Sequence, residues 1–140
     1  MRIVIDTDVM VAAFDSKRGA SRQLLLDVLD EHVLLVLSTP LLLEYEAVLT
    51  RPKVLSMTAL SLAETIEVLD ELAAICVPVS FDFRWRPSGA DPDDELVLET
   101  ALNGNADAIA TFNMRHMAAA AARFGIGAQR PAEILQRIRI

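Results

Sequence analysis

Arg2-Ile3-Val4-Ile5-Asp6-Thr7-Asp8 opens the chain. Its apolar residues do not alternate with polar ones, and they stop abruptly at a carboxylate. Unbroken apolar runs of this length read as strands buried on both faces, as in a parallel sheet. Asp6 then falls at the carboxyl end of the first strand, where open α/β sheets place their ligands.

Working outward, Ser21 to Glu31 carries Leu24, Leu25, Val28 and Leu29 at helical spacing, and Val33 to Leu37 is a second continuous apolar strand. Ser38 and Thr39 are suited to cap a helix with Pro40 in its first turn. Leu62 to Ala74 reads as a helix with Ile66, Leu69 and Ala73 on one face. Cys76 to Phe81 reads as an edge strand, because Pro78 cannot donate to a ladder. Asp91-Pro92 opens a helix to about Leu102, Ala108 to Thr111 is a short strand, and Pro131 to Ile138 is a closing helix. Strands alternating with helices predict an α/β fold: three layers, α/β/α, around a central parallel sheet of about four to five strands. With 140 residues and neither a repeat nor a linker, residues 1–140 are expected to form one domain.

Composition narrows the class. Hydrophobic residues make up 53% and mean hydropathy is +0.36. Met117–Ala122 runs only six apolar residues, far short of the roughly 20 that a membrane span needs. The surplus apolar content suits either a well-filled core or a covered partner surface. Three apolar residues before Asp6 make no signal peptide, and the single Cys76 permits no internal disulfide, so the cytoplasm is the expected compartment. The net charge, 13 − 20 = −7, argues against a generic nucleic-acid coat. Yet from Phe112 onward Arg115, Arg123, Arg130, Arg137 and Arg139 stand against Glu133 alone. That stretch reads either as a solvated surface or as a basic rim for phosphates.

The acids carry the chemistry. Asp6 can cap the next helix or serve a site. Glu44 lies three residues after Leu41 and four before Val48, on or beside the apolar stripe that includes Tyr45. Buried glutamate is rare without a partner or a metal. Glu46 faces elsewhere. In Asp91-Pro92-Asp93-Asp94-Glu95, Asp91 and Asp93 suit capping and the positive end of the helix. Asp94 shares its face with Val97, Leu98 and Ala101, and so points inward. Thr111 ends another strand and Asn113 follows it, and both offer polar groups to the same rim. Three convergent carboxylates suit Mg2+, and bound metal can activate water for phosphodiester hydrolysis. Cys76, His32 and His116 are too scattered for zinc.

These segments together resemble a known family. Val4-Ile5-Asp6-Thr7 resembles the opening motif of PIN domains. Ser38-Thr39-Pro40, Glu44-Tyr45 and the run from Val48 to Lys53 resemble the second motif of a PIN branch of toxins from toxin–antitoxin pairs. Asp91 to Asp94 with Leu98, Ala101 and Leu102, then Ala106 to Thr111, resemble the third and fourth. The resemblance spans nearly the whole chain. It implies a ribonuclease that uses Mg2+ or Mn2+, with Asp6, Glu44 and Asp94 as catalytic and metal-holding acids. Thr7, Asp8, Asp91, Asp93, Thr111 and Asn113 would support them. Arg51, Lys53, Arg115 and His116 are candidate RNA contacts. It further implies an RNA substrate, a small antitoxin partner and scope for a homodimer. Asn113 stands where many PIN domains carry aspartate, and Asp8 stands where asparagine or serine is usual, so Asp8 offers a compensating charge.

Two other readings compete. A PIN domain degenerate at Asn113 would be a binding module without catalysis. Asp6-Thr7-Asp8 after a hydrophobic strand also fits the start of haloacid-dehalogenase-type phosphatases. Met10 is unusual there, and no lysine lies between Lys53 and the Asp93-Asp94 pair.

Overall fold

The computed structural model describes residues 1–15, 19–80 and 92–139, with residues 92–94 described by backbone alone. Strand β1 (Arg2–Ile5) leads into helices α1 (Thr7–Asp15) and α2 (Ala20–Leu29), then β2 (Leu34–Ser38). Helices α3 (Thr39–Leu49), α4 (Pro52–Met57) and α5 (Leu62–Ile75) precede β3 (Val77–Val79). Helix α6 (Pro92–Asn103), β4 (Ala108–Ala110), α7 (Met114–Ala122), β5 (Gly127–Gln129) and α8 (Pro131–Ile138) complete the order. The five strands form one sheet in the order β3-β2-β1-β4-β5, and every pairing is parallel. The expected three-layer α/β/α architecture is therefore present.

The topology follows from the strand order. From β1 the chain steps outward to β2 and β3 on one side, then returns past β1 to β4 and β5 on the other. Right-handed crossovers put the two sets of connecting helices on opposite faces. Helices α1, α2, α5 and α8 accordingly pack among themselves, and α6 packs with α7. Since β1 and β4 send their connections in opposite directions, the crevice beyond their carboxyl ends is the topological switch point. Ile3, Val4, Val36, Ala108 and Ile109 are fully buried in the middle layer, as unbroken apolar strands require.

Local details refine the expectations. Ser38 caps α3, its hydroxyl accepting from the Leu41 N–H at 3.3 Å. The buried stripe of α3 is Leu41, Tyr45 and Leu49; Val48 is only half-buried. On α5 the buried face is Thr65, Leu69 and Leu72, not Ile66, Leu69 and Ala73, since Ala73 is exposed. β3 lies at the sheet edge, as Pro78 demanded. Helix α1 begins at Thr7, directly after Asp6. Gly104, just past α6, is pressed so closely into the sheet that a Cβ there would lie 2.2 Å from Val36 Cγ1.

The amino ends of the strands are tied separately. Leu34 N–H donates to the Met1 carbonyl at 3.0 Å. Near the end of α8, the Arg139 guanidinium lies 3.4 Å from the buried Asp27 carboxylate on α2.

Candidate active site

Asp6 is the first residue past β1, and only 8% of it is exposed. Its N–H donates to the Ala110 carbonyl at 2.9 Å, extending the β1–β4 ladder by one step. Its carboxylate is held from the β4 side: the Thr111 hydroxyl donates to Asp6 Oδ2 at 2.8 Å. Thr111 is fully buried, and its Oγ1 accepts from the Asn113 N–H at 2.9 Å. The run from backbone amide to hydroxyl to carboxylate fixes where the acid points. It spans the β1–β4 crevice, the place where open parallel sheets generally take their ligands.

Glu44 comes from α3, half-buried, and its Oε2 accepts from the Thr7 hydroxyl. Thr7 is the next residue after Asp6, so this bond brings the Glu44 carboxylate to the end of β1. Tyr45 is fully buried, and its hydroxyl donates to the Ile5 carbonyl. Burial pushes its phenol well above the usual value of 10.0, and the Asp6 and Glu44 carboxylates raise it further. Both acids are thus close enough to Tyr45 to add to one negative field.

The other expected residues divide by position. Helix α6 starts at Pro92, and Val97, Leu98 and Ala101, on the Asp94 face, are buried. The side chains of Asp93 and Asp94, and all of Asp91, lie outside the described residues. Asn113 is the half-buried residue before α7. Asp8 is exposed in the first turn of α1. Arg115 and His116 are exposed in the first turn of α7, next to the Asn113 end of the site. Arg51 and Lys53 are exposed at the start of α4. Arg51 lies two residues beyond the end of α3, the helix that carries Glu44.

Beside Thr111, Phe112 is half-exposed and lines an apolar recess of about 330 Å³ between the starts of α2 and α8, with Arg130 at its edge.

Sequence reasoning assigned Tyr45 to the core and missed its polar contact. The signal was available, since a buried tyrosine hydroxyl normally finds a partner. It also missed Thr100, whose hydroxyl meets Ser38 Oγ at 2.8 Å and ties α6 to the cap of α3. Glu99, 2% exposed on α6, was not singled out either.

The donor set here is oxygen only: two carboxylates, hydroxyls and backbone. That is the chemistry of Mg2+ or Mn2+, not of a thiolate or imidazole metal. Among the described residues no three His, Cys, Asp or Glu side chains converge. Asp6 and Glu44 supply two acids, and Asp94 is on the helix that packs against β1.

Comparison with known proteins gives three findings. No curated protein matches the sequence. In fold, a chain of the crystal structure of VapBC2 from Rickettsia felis, bound to a DNA fragment from their promoter, matches with a TM-score of 0.61. The identity is 15%, covering 93% of this chain and 98% of that one. Finally, residues 2–115 match the sequence model of the PIN domain. That stretch runs from the first strand through Asp6, Glu44, Thr111 and Asn113, so the chain belongs to the PIN domain family.

Proposed function

We propose that this protein is a metal-dependent ribonuclease that hydrolyses RNA phosphodiester bonds, acting as the toxin of a toxin–antitoxin pair. One observation carries the reading: a buried Asp6 carboxylate, oriented by Thr111, stands at the switch-point crevice with Glu44 beside it. Like charges gathered in a poorly solvated place repel unless a cation joins them. Asp6, Asp94 and Glu44 would hold Mg2+ or Mn2+. The bound ion would activate water and offset charge on the phosphate and leaving oxygen. Thr111 keeps Asp6 turned into the crevice, Thr7 does the same for Glu44, and Asn113 offers a neutral amide. Arg115 and His116 stand at the rim for a phosphate.

The partner reading rests on two supports. The fold is similar to that of a chain in a VapBC2 complex. The half-exposed Phe112 and its apolar recess give the face beside the acids something to bury. Co-expression with a small neighbouring open reading frame is the experiment for the partner.

The nuclease reading is tested by incubating the protein with mixed cellular RNA, with Mn2+ and with chelator, beside an Asp6→Asn variant. Asn caps a helix as well as Asp does, so the substitution spares a structural role and removes a metal ligand's charge. Cleavage that needs metal and falls by orders of magnitude in Asp6→Asn is expected. An RNA pool left intact by the wild-type protein with Mn2+ overturns the reading. It would leave the non-catalytic binding module, for which the neutral Asn113 is the motive. Membership of the PIN domain family removes the motive for the phosphatase reading.

A further inference from the structure

We infer that Tyr45 is a positioning residue for the acid pair: by donating to the Ile5 carbonyl, its hydroxyl locks α3 to the end of β1 and sets the separation of Glu44 from Asp6. The inference rests on the metal-site reading above and names a residue which that reading does not use.

The geometry is that of a two-point clasp. Residues 5, 6 and 7 lie on one side, and residues 44 and 45 on the other. Tyr45 reaches the residue before Asp6, and Thr7, the residue after it, reaches Glu44. Asp6 is thereby bracketed. Its position relative to Glu44 cannot change without breaking one of the two bonds.

The sheet explains why a side chain is needed there. The β1–β2 pairing runs through Arg2↔Leu34 and Ile3↔Leu35, whereas the β1–β4 pairing continues to Ile5↔Ala110. Backbone groups of Ile3 and Ile5 point to the same side of the strand. Ile5 therefore lies two residues beyond the last β1–β2 pair, and its carbonyl takes its partner from α3. The sheet opens between β1 and β2 at the level of the acids, and Tyr45 fills the opening. A buried carbonyl left without a donor would cost stability. Phenylalanine would fill the same volume but take away that donor and that tie between α3 and β1.

A packing role and a positioning role differ in what they predict. Tyr45 is the only tyrosine in the chain, so growth on 3-fluorotyrosine labels this one ring. Two measurements use that fact on the full chain. In the first, the fluorine resonance is followed as Mg2+ is added. A resonance that shifts over the same metal range that raises the melting temperature places the metal beside this ring. In the second, Mn2+ affinity is measured by the loss of its free-ion spin-resonance signal for wild type and Tyr45→Phe. The expected result is affinity weakened by about 10- to 100-fold, as for other groups that orient a metal ligand, with far-ultraviolet circular dichroism unchanged. Equal Mn2+ affinity in wild type and a folded Tyr45→Phe overturns the inference while the metal site stands. Wild-type protein that binds no Mn2+ at millimolar concentration instead overturns the underlying reading. Should Tyr45→Phe fail to fold, the Mn2+ affinity of the fluorotyrosine protein decides, because the fluorine leaves the hydroxyl in place and makes it a stronger donor: an affinity equal to that of the unlabelled protein overturns the inference.

Discussion

Thr111→Val keeps the shape of the side chain and deletes one hydroxyl. That hydroxyl both orients Asp6 and accepts from the Asn113 N–H. Removing it leaves a buried carboxylate oxygen without that donor, at a stability cost of about 1–2 kcal/mol. The catalytic cost should be larger, about 10- to 100-fold in kcat/KM, as for groups that hold a metal ligand in place. Thr111→Ser, which keeps the donor, should recover most of the activity at little gain in stability. Rates that follow the melting temperature across the three proteins would show that Thr111 matters to folding alone. At this scale the sequence was partly legible. Asp6 and Thr111 could be placed at strand ends because each follows an apolar run. Glu44 could be placed because it borders a helical stripe. The contacts that join them could not be read, because Thr111 meets Asp6 across 105 positions of chain. Sequence spacing carries no information about such a meeting until the strand order is known.

The elements that were legible are those whose burial forces a pattern. β1, α2, β2, α5 and α8 could be recognised because strands covered on both faces are continuously apolar and covered helices are striped. β5 escaped, since Gly127-Ala128-Gln129 is a half-buried edge with no branched side chain. Helix α7 escaped because a run of alanines reads as an apolar stretch, although only Met117, Ala120 and Ala121 are buried. Ala73 on α5 misled for a related reason: alanine is tolerated on either face of a helix. Gly104 shows the opposite case, in which a residue without a side chain is the constraint. In Gly104→Ala the new Cβ would meet Val36 Cγ1 at 2.2 Å and Val79 Cγ2 at 2.9 Å. Val36 is buried in β2 and has nowhere to go. Urea unfolding of Gly104→Ala should show a loss of about 1–3 kcal/mol. Part of it should return in Gly104→Ala with Val36→Ala, because the sites touch and their effects are coupled. Additive losses in the double variant would mean that the close approach is not the cause.

For the molecule as a whole, the acid pair gathers negative charge beside one buried ring. Asp6 and Glu44 both add to the rise of the Tyr45 phenol pKa, so their fields overlap in a region of poor solvation. A cation that binds the folded chain alone should stabilise it by about 2.7 kcal/mol at a hundredfold excess over its Kd. For a domain of this size that corresponds to a rise of roughly 5–11 °C in Tm. The rise should vanish in Asp6→Asn, and an equal rise in both proteins would place the ion elsewhere. The ties at the opposite end of the sheet carry a practical consequence. Met1 is bonded at the start of β2, and Arg139 is held against Asp27 on α2. Both ends of the described chain thus emerge on the side away from Asp6. A purification tag, a fluorescent fusion or a surface tether joined at either end of the described chain therefore sits at the end of the sheet opposite Asp6.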